Sequence, residues 1–423
     1  MVYFQESLLG QLSAQLPDKE LSALIASKKH PQGAKPWLSS SGKFRLMILK
    51  HYSGLSDEKL VEGLNTDWSY QLFCQLELAE GEFIRDKSLV SRVRKELSRL
   101  DYQQIQQVLQ KHWKDKLPAN ERKALLMDAT CFESYLRYPT DVKLLFEACQ
   151  WLNGQLLGLC KSLAVTRPRN RFQEQQHKYL AYARYRRKTY RQTVKRRRSL
   201  LQLLEKLVGQ FQQLLNGHQV NWLNKKTYQR LKLLKTVCLQ QRYLLNKPAS
   251  SLAGRILSLH KPYVRAIVRG KETKPVEFGA KVHLTLSAGL CWIEHLSFEA
   301  FHEGKRLKGS VYKHQTLFGS CRFVGADAIY ATNENRRFLT KNQIQTNFAK
   351  KGSVPASGQY KQAQVLIHKA RAAQMEGGFG NHKNHYLLAK IKARTQPTEI
   401  TWILFGVLAA NAVKVAALDR QAA

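Results

Sequence analysis

The sequence predicts a mixed α/β fold: a mixed sheet with flanking helices, an N-terminal helical domain, and a large helical insertion after the first core strand. Three observations predict it. Two short apolar runs end in aspartate, "ALLMD" at 124–128 and "CRFVGAD" at 321–327, and read as buried strands. The stretch 280–301 alternates apolar and polar residues and reads as a hairpin. Between these segments, leucines recur at helical spacing over 200–245.

Residues 1–115 read as a helical N-terminal domain. Ser56 is placed to cap a helix whose first turn holds Asp57 and Glu58, which suit its positive end. In "DKSLVSRVRKELSRL", Leu89, Val93, Leu97 and Leu100 form one stripe, and Arg92, Lys95 and Arg99 another. That second stripe is a surface for phosphates or an ordinary solvated face. The first core strand follows and is expected to end at Asp128.

The core is expected over 120–165 and 276–415, with residues 166–275 as the insertion. The segment 184–198, "RYRRKTYRQTVKRRR", holds nine Lys or Arg in fifteen residues and no acid. Tyr179, Tyr182, Tyr185 and Tyr190 interleave with the basic residues, among them Arg186, Arg187, Arg191, Arg196 and Arg197. Aromatic and cationic residues together suit a nucleic-acid surface; a localisation-type basic run is the plainer alternative. Leu200, Leu204, Leu207, Phe211 and Leu214 then form one helix seam, and Leu231, Leu234, Cys238 and Leu245 a second, with a turn at 216–221. Beyond the insertion come the hairpin broken at Gly289, the strand before Asp327, a further strand at 344–349, and a helix running into Glu376. The apolar stretch "TWILFGVLAANAV", 401–413, stops at Lys414, short of the roughly 20 residues a membrane span needs, and reads as a core helix.

The charge narrows the partner. Lys and Arg number 69 against 31 Asp and Glu, a formal net charge of +38. So large an excess repels itself in a compact chain and calls for a polyanion, nucleic acid before a membrane surface. The seven cysteines are scattered without C-x-x-C spacing, which gives no zinc ribbon or redox pair and suits reduced thiols in a cytoplasm. No secretory signal pattern opens the sequence.

Asp128, Asp327 and Glu376 are the candidate catalytic residues. Cutting or transferring a phosphodiester needs charge neutralised in line, which two hard divalent ions held by carboxylates accomplish. Two aspartates fixed by strands and a longer glutamate reaching from a helix are such a set. The opposing reading is that aspartates after strands form turns and caps.

The sequence around the acids resembles the DDE transposases of bacterial insertion sequences, whose catalytic core is ribonuclease-H-like. The likeness runs from about 40 to 415, around the insertion, and is carried by three motifs. These are Arg-Tyr-Pro-Thr-Asp at 137–141, Gly-x-Asp-x-x-Tyr at 325–330, and Glu-Gly-x-Phe-Gly-x-x-Lys at 376–383. The resemblance implies a ribonuclease-H-like core and a metal-binding triad of Asp128, Asp327 and Glu376 with two Mg²⁺, Mn²⁺ substituting. It also implies cleavage at the terminal inverted repeats, transfer of the freed 3′-hydroxyl to target DNA, and a dimer or larger assembly on double-stranded DNA in the bacterial cytoplasm. A DNA-binding relative that does not cut, and another ribonuclease-H-like nuclease, are the alternatives.

Lys383 follows Glu376 by two helical turns and is a phosphate ligand if the helix continues. In related transposases an Arg commonly precedes the glutamate by four positions; here Ala372 stands there, and Arg371 is one residue off. Arg371, Lys390, Lys392 and Arg394 complete the expected DNA contacts. Arg137 and Asp141 are expected to pair with each other, Gly377 and Gly378 either to admit close DNA approach or to end the helix. Glu294, Glu299, Glu303 and Glu334 are rival third ligands.

Overall fold

The computed structural model describes residues 2–25, 36–248, 250–268, 275–349, 351 and 358–422. The end of the expected insertion at 269–274 lies outside them. The chain is a mixed α/β protein that divides into two compact units, residues 1–135 with 267–423, and residues 136–266. The helix Asp141–Ser162 therefore belongs with the insertion, and the N-terminal helices share a unit with the sheet.

The first unit contains one mixed sheet. Its strands are β1 (Ala124–Ser134), β2 (Ala266–Val268), β3 (Val276–Ser287), β4 (Leu290–Ser297), β5 (Phe323–Gly325), β6 (Gln345–Thr346) and β7 (Lys390–Ile391). The order is β2-β3-β1-β5-β6, with β4 also on β3 and β7 also on β1. β3 is antiparallel to β1 and β4, whereas β5 and β7 run parallel to β1 and β6 parallel to β5.

β1 does not end at Asp128. It continues through Thr130, Cys131 and Phe132, all buried, and pairs with β3 from Leu126 to Glu133. An acid inside an apolar run looks like an end in sequence; here β-branched and aromatic residues resume after it and keep the ladder going. On the other edge of β1, β5 covers Ala124–Leu126 and β7 covers Glu133–Ser134. Asp128 thus sits where β5 leaves the sheet.

The hairpin is present, turning at Ala288 (φ 48°) and Gly289 (φ 79°), the paired left-handed conformations of a two-residue turn. Both faces of β3 are buried, so its alternation does not mark a wet face. Lys281 meets Glu303 at 2.6 Å, and His283 Nδ1 meets Glu294 Oε2 at 3.1 Å. Arg306 and Lys313 also reach Glu294, at 2.9 and 3.4 Å. These rivals for metal ligation are therefore held in ion pairs, and the exposed Glu334 pairs with Lys308 at 2.6 Å.

Ser56 caps the helix Asp57–Thr66 by accepting from Lys59 N. The stripe of Leu89, Val93 and Leu97 is buried, while Arg92, Lys95 and Arg99 face solvent. Arg94, between the two stripes, is buried against Asp57 at 2.9 Å, and its guanidinium lies 4.5 Å over the Trp402 ring. Trp402 belongs to the closing helix Gln396–Ala422, 27 residues long, which runs straight through Lys414. By length and apolarity alone that helix could cross a membrane, but most of it is buried against the helices Ser40–Ser53 and Leu89–Leu97 and against β4.

The second unit is helical. Its core joins the seam of Leu200, Leu204, Leu207 and Phe211 to Leu231 and Leu234, and to a third helix through Leu145, Leu152 and Leu156. The helices Tyr190–Gly217 and Lys225–Asn246 are the expected pair. The third, Asp141–Ser162, is capped by Thr140, which accepts from Lys143 N. Asp141 does not pair with Arg137. It takes Arg255 at 2.6 Å and Arg197 at 3.3 Å, the two cations that the tertiary fold brings to this helix start.

Candidate active site

Asp128, Asp327 and Glu376 come together around one guanidinium. Arg371 Nη2 lies 2.8 Å from Asp128 Oδ2 and 3.9 Å from Asp327 Oδ1. Its Nη1 lies 3.9 Å from Glu376 Oε1. Each acid reaches this point from a different element. Asp128 is fixed within β1, where its Oδ1 also accepts from Ala129 N at 2.7 Å. Asp327 follows β5: the parallel register that sets Leu126 opposite Gly325, carried onward, sets Asp128 opposite Asp327. Its Oδ1 accepts from Ala328 N at 2.7 Å, capping the short turn Ala328–Tyr330. Turn former and candidate site acid are thus the same side chain.

Glu376 ends a π-helical segment, Ala372–Glu376, between the α-helices Gly358–Arg371 and Gly377–His385. The π-turn explains the one-residue offset of Arg371. A π-helix closes its hydrogen bonds five residues apart, so Arg371 stands one turn before Glu376, as a residue four positions away would in an α-helix. Gly377 and Gly378 do not end the helix; it runs on through Lys383, which is half-buried.

The acids differ in environment. The Asp128 side chain is 14% exposed, against 58% for Asp327 and 64% for Glu376. Burial pushes the Asp128 carboxyl above its ordinary range; Arg371 and the Ala129 amide pull it down, and Glu303 and Asp327 push it up further. Beside them Tyr330 is fully buried, its hydroxyl without a hydrogen-bond partner among the described residues. Burial drives that phenol far above its usual value, with Glu303, Asp128 and Asp327 adding to the rise. The sequence places this tyrosine in the motif at 325–330, and nothing in its spacing signals the burial.

Three carboxylates are a donor set that a hard divalent cation accepts. They already face one cationic centre, so the donor chemistry fits. Among the described residues no three His, Cys, Asp or Glu groups stand close enough together to hold an ion. Arg371 lies between the three acids.

Arg371 is therefore no open phosphate contact: its side chain is 9% exposed and turned onto the acids. The other expected DNA contacts are spread over the surface of both units. Lys392 and Arg394 are exposed, and Lys390, also exposed, pairs with Glu133. Arg92 pairs with Asp86. In the second unit Arg186, Arg187 and Arg191 are exposed next to Tyr185 and Tyr190, which are 50% and 70% exposed. Arg196 and Arg197 are half-buried and engage Gln175 and Gln241 at 2.9 and 3.2 Å. Tyr179 stacks on Phe146 at 3.8 Å and Tyr182 bonds Thr193, so only half of the interleaved tyrosines face out.

Residues 2–96 match a transposase domain. The matching family model is described as transposase domain (DUF772), and the match supports a transposase role for the chain. The matched segment contains the buried Arg94 and the solvent-facing Arg92 and Lys95. No curated protein and no solved structure matches the chain.

Proposed function

We propose that the protein is a DNA transposase in which Asp128, Asp327 and Glu376 bind Mg²⁺, with Mn²⁺ substituting, and serve DNA cleavage and strand transfer. The observation that carries this reading is the convergence of the three acids on one cationic centre, in a chain whose first hundred residues match a transposase domain. The strand order supports a ribonuclease-H-like core: an antiparallel β1-β3-β4 meander, with β5 and β6 added in parallel on the far side of β1. Ligands in sheets of this kind gather where parallel strands end, which is where Asp327 follows β5. The chemistry bound divalent ions supply is activation of the attacking oxygen and stabilisation of the leaving one.

The remaining work falls to this chain's cations. Lys392 and Arg394 in the first unit, and Arg186, Arg187 and Arg191 in the second, offer exposed charge to DNA phosphates. Tyr185 and Tyr190 offer stacking faces between those charges. The substrate is the double-stranded terminal inverted repeat of the element, bound by a dimer or larger assembly in the bacterial cytoplasm.

The test is cleavage of a duplex carrying the inverted repeats that flank the coding region, with Mg²⁺. Asp327→Asn and Glu376→Gln are expected to lower cleavage by at least about a hundredfold while DNA binding stays steeply salt-dependent. Cleavage equal to wild type in both variants refutes the assignment. Tight binding with no cleavage under any divalent ion favours a relative that binds without cutting.

A further inference from the structure

We infer that Arg371 is an internal counter-cation that holds the three carboxylates together without metal and withholds their site from divalent ions in the DNA-free protein; this rests on the reading of the three acids as metal ligands. The geometry is that of a cation in a carboxylate cage. Both terminal nitrogens face acids: Nη2 donates to Asp128 and lies 3.9 Å from Asp327, and Nη1 lies 3.9 Å from Glu376. The side chain is almost wholly buried, and its Nε has no hydrogen-bond partner among the described residues. Among the described residues the acids are thus the anchors of this guanidinium.

Three carboxylates converging without a cation repel one another, and burial of Asp128 sharpens that cost. A guanidinium cannot give up its proton to leave, so it vacates the site only by moving. A divalent ion arriving in the free protein has to break a buried ion pair before it can bind. Substrate DNA changes the balance, because its phosphates offer the guanidinium another anion. The π-turn fixes Arg371 one turn from Glu376, so the cation sits within the acid cluster and not on open surface.

The experiment is Mn²⁺ binding to the full chain by electron paramagnetic resonance, without DNA and then on an inverted-repeat duplex. Thermal melting is followed in parallel. Wild type is expected to bind Mn²⁺ weakly alone and at least tenfold more tightly on DNA. Arg371→Gln is expected to bind at least tenfold more tightly than wild type without DNA, to gain melting temperature on adding Mn²⁺, and to lose both effects when combined with Asp128→Asn. Should Arg371→Gln prove too unstable, Arg371→Lys, which keeps one charge but cannot span three acids, is expected to show the same gain in smaller measure. If these variants bind Mn²⁺ no more tightly than wild type alone, while DNA-bound wild type does bind it through Asp128, the counter-cation role is overturned and the metal reading survives. If no form binds Mn²⁺ at these acids, both fall together.

Discussion

Arg371 and Glu376 are five residues apart in sequence and one turn apart in space, because the segment between them is π-helical. Deleting the exposed Ala373 restores four-residue spacing in a regular α-helix and leaves Arg371 and Glu376 on one face. Inserting an alanine there turns them apart by about 100°. The deletion is expected to keep cleavage within roughly tenfold of wild type and the insertion to abolish it, with both chains folded by circular dichroism. Equal activity in the two variants would show that the register carries nothing.

Asp128 and Asp327 are expected to separate stability from chemistry. Asp128→Asn leaves the Arg371 charge buried without its nearest partner and is expected to cost about 3–5 kcal/mol. Asp327→Asn alters an exposed side chain, 3.9 Å from the same guanidinium, and is expected to cost less than about 1 kcal/mol. Chemical denaturation of the two single variants checks the contrast, and both are expected to lose cleavage.

The Tyr330 hydroxyl is buried with no hydrogen-bond partner among the described residues. Such a group bears a desolvation cost of about 1–3 kcal/mol. Tyr330→Phe keeps the ring and removes the cost, so it is expected to leave stability unchanged or raise it. A loss above about 1 kcal/mol in urea would mean that the hydroxyl finds a partner in solution.

Acid is expected to unfold the first unit through its buried histidines. Burial lowers His51 to about 3, and His314 and His382 to about 4, from an ordinary 6.5. A histidine with a depressed folded pKa binds fewer protons folded than unfolded, so its contribution to stability is intact above 6.5 and is lost as pH falls toward the folded value. Stability is expected to drop steadily from about pH 6.5 to pH 4, with a net uptake of protons on unfolding near pH 5 to which each of these histidines contributes about one. His51→Gln is expected to remove about one of those protons; an unchanged uptake in calorimetry would contradict the burial of its imidazole.

Much of the layout was legible in the sequence because it depends on local pattern. The cap at Ser56, the stripe of Leu89, Val93 and Leu97, the turn at Gly289 and the seam of Leu200 to Phe211 each follow from spacing within one element. What the sequence concealed is non-local. β1 passes through Asp128 because β3 pairs with it on both sides of the acid. Asp141 is claimed by Arg255 and Arg197, and nothing near it in sequence announces either partner. The three acids could be named as candidates from their motifs, whereas the place of Arg371 among them could not: a π-turn has no signature in spacing, so an arginine one position off looks misplaced.

The closing helix Gln396–Ala422 has a consequence for synthesis. It covers the apolar sides of Ser40–Ser53 and Leu89–Leu97 inside the segment that matches the family model, with Phe405 6.2 Å from Phe44 and Trp402 under Arg94. Those helices leave the ribosome hundreds of residues before their cover does. The helices Ser40–Ser53 and Leu89–Leu97 therefore wait, incompletely covered and open to chaperones, until residues 396–422 have been made. Products that stop before Gln396 lack this cover and expose the apolar sides of those two helices, which invites proteolysis and aggregation.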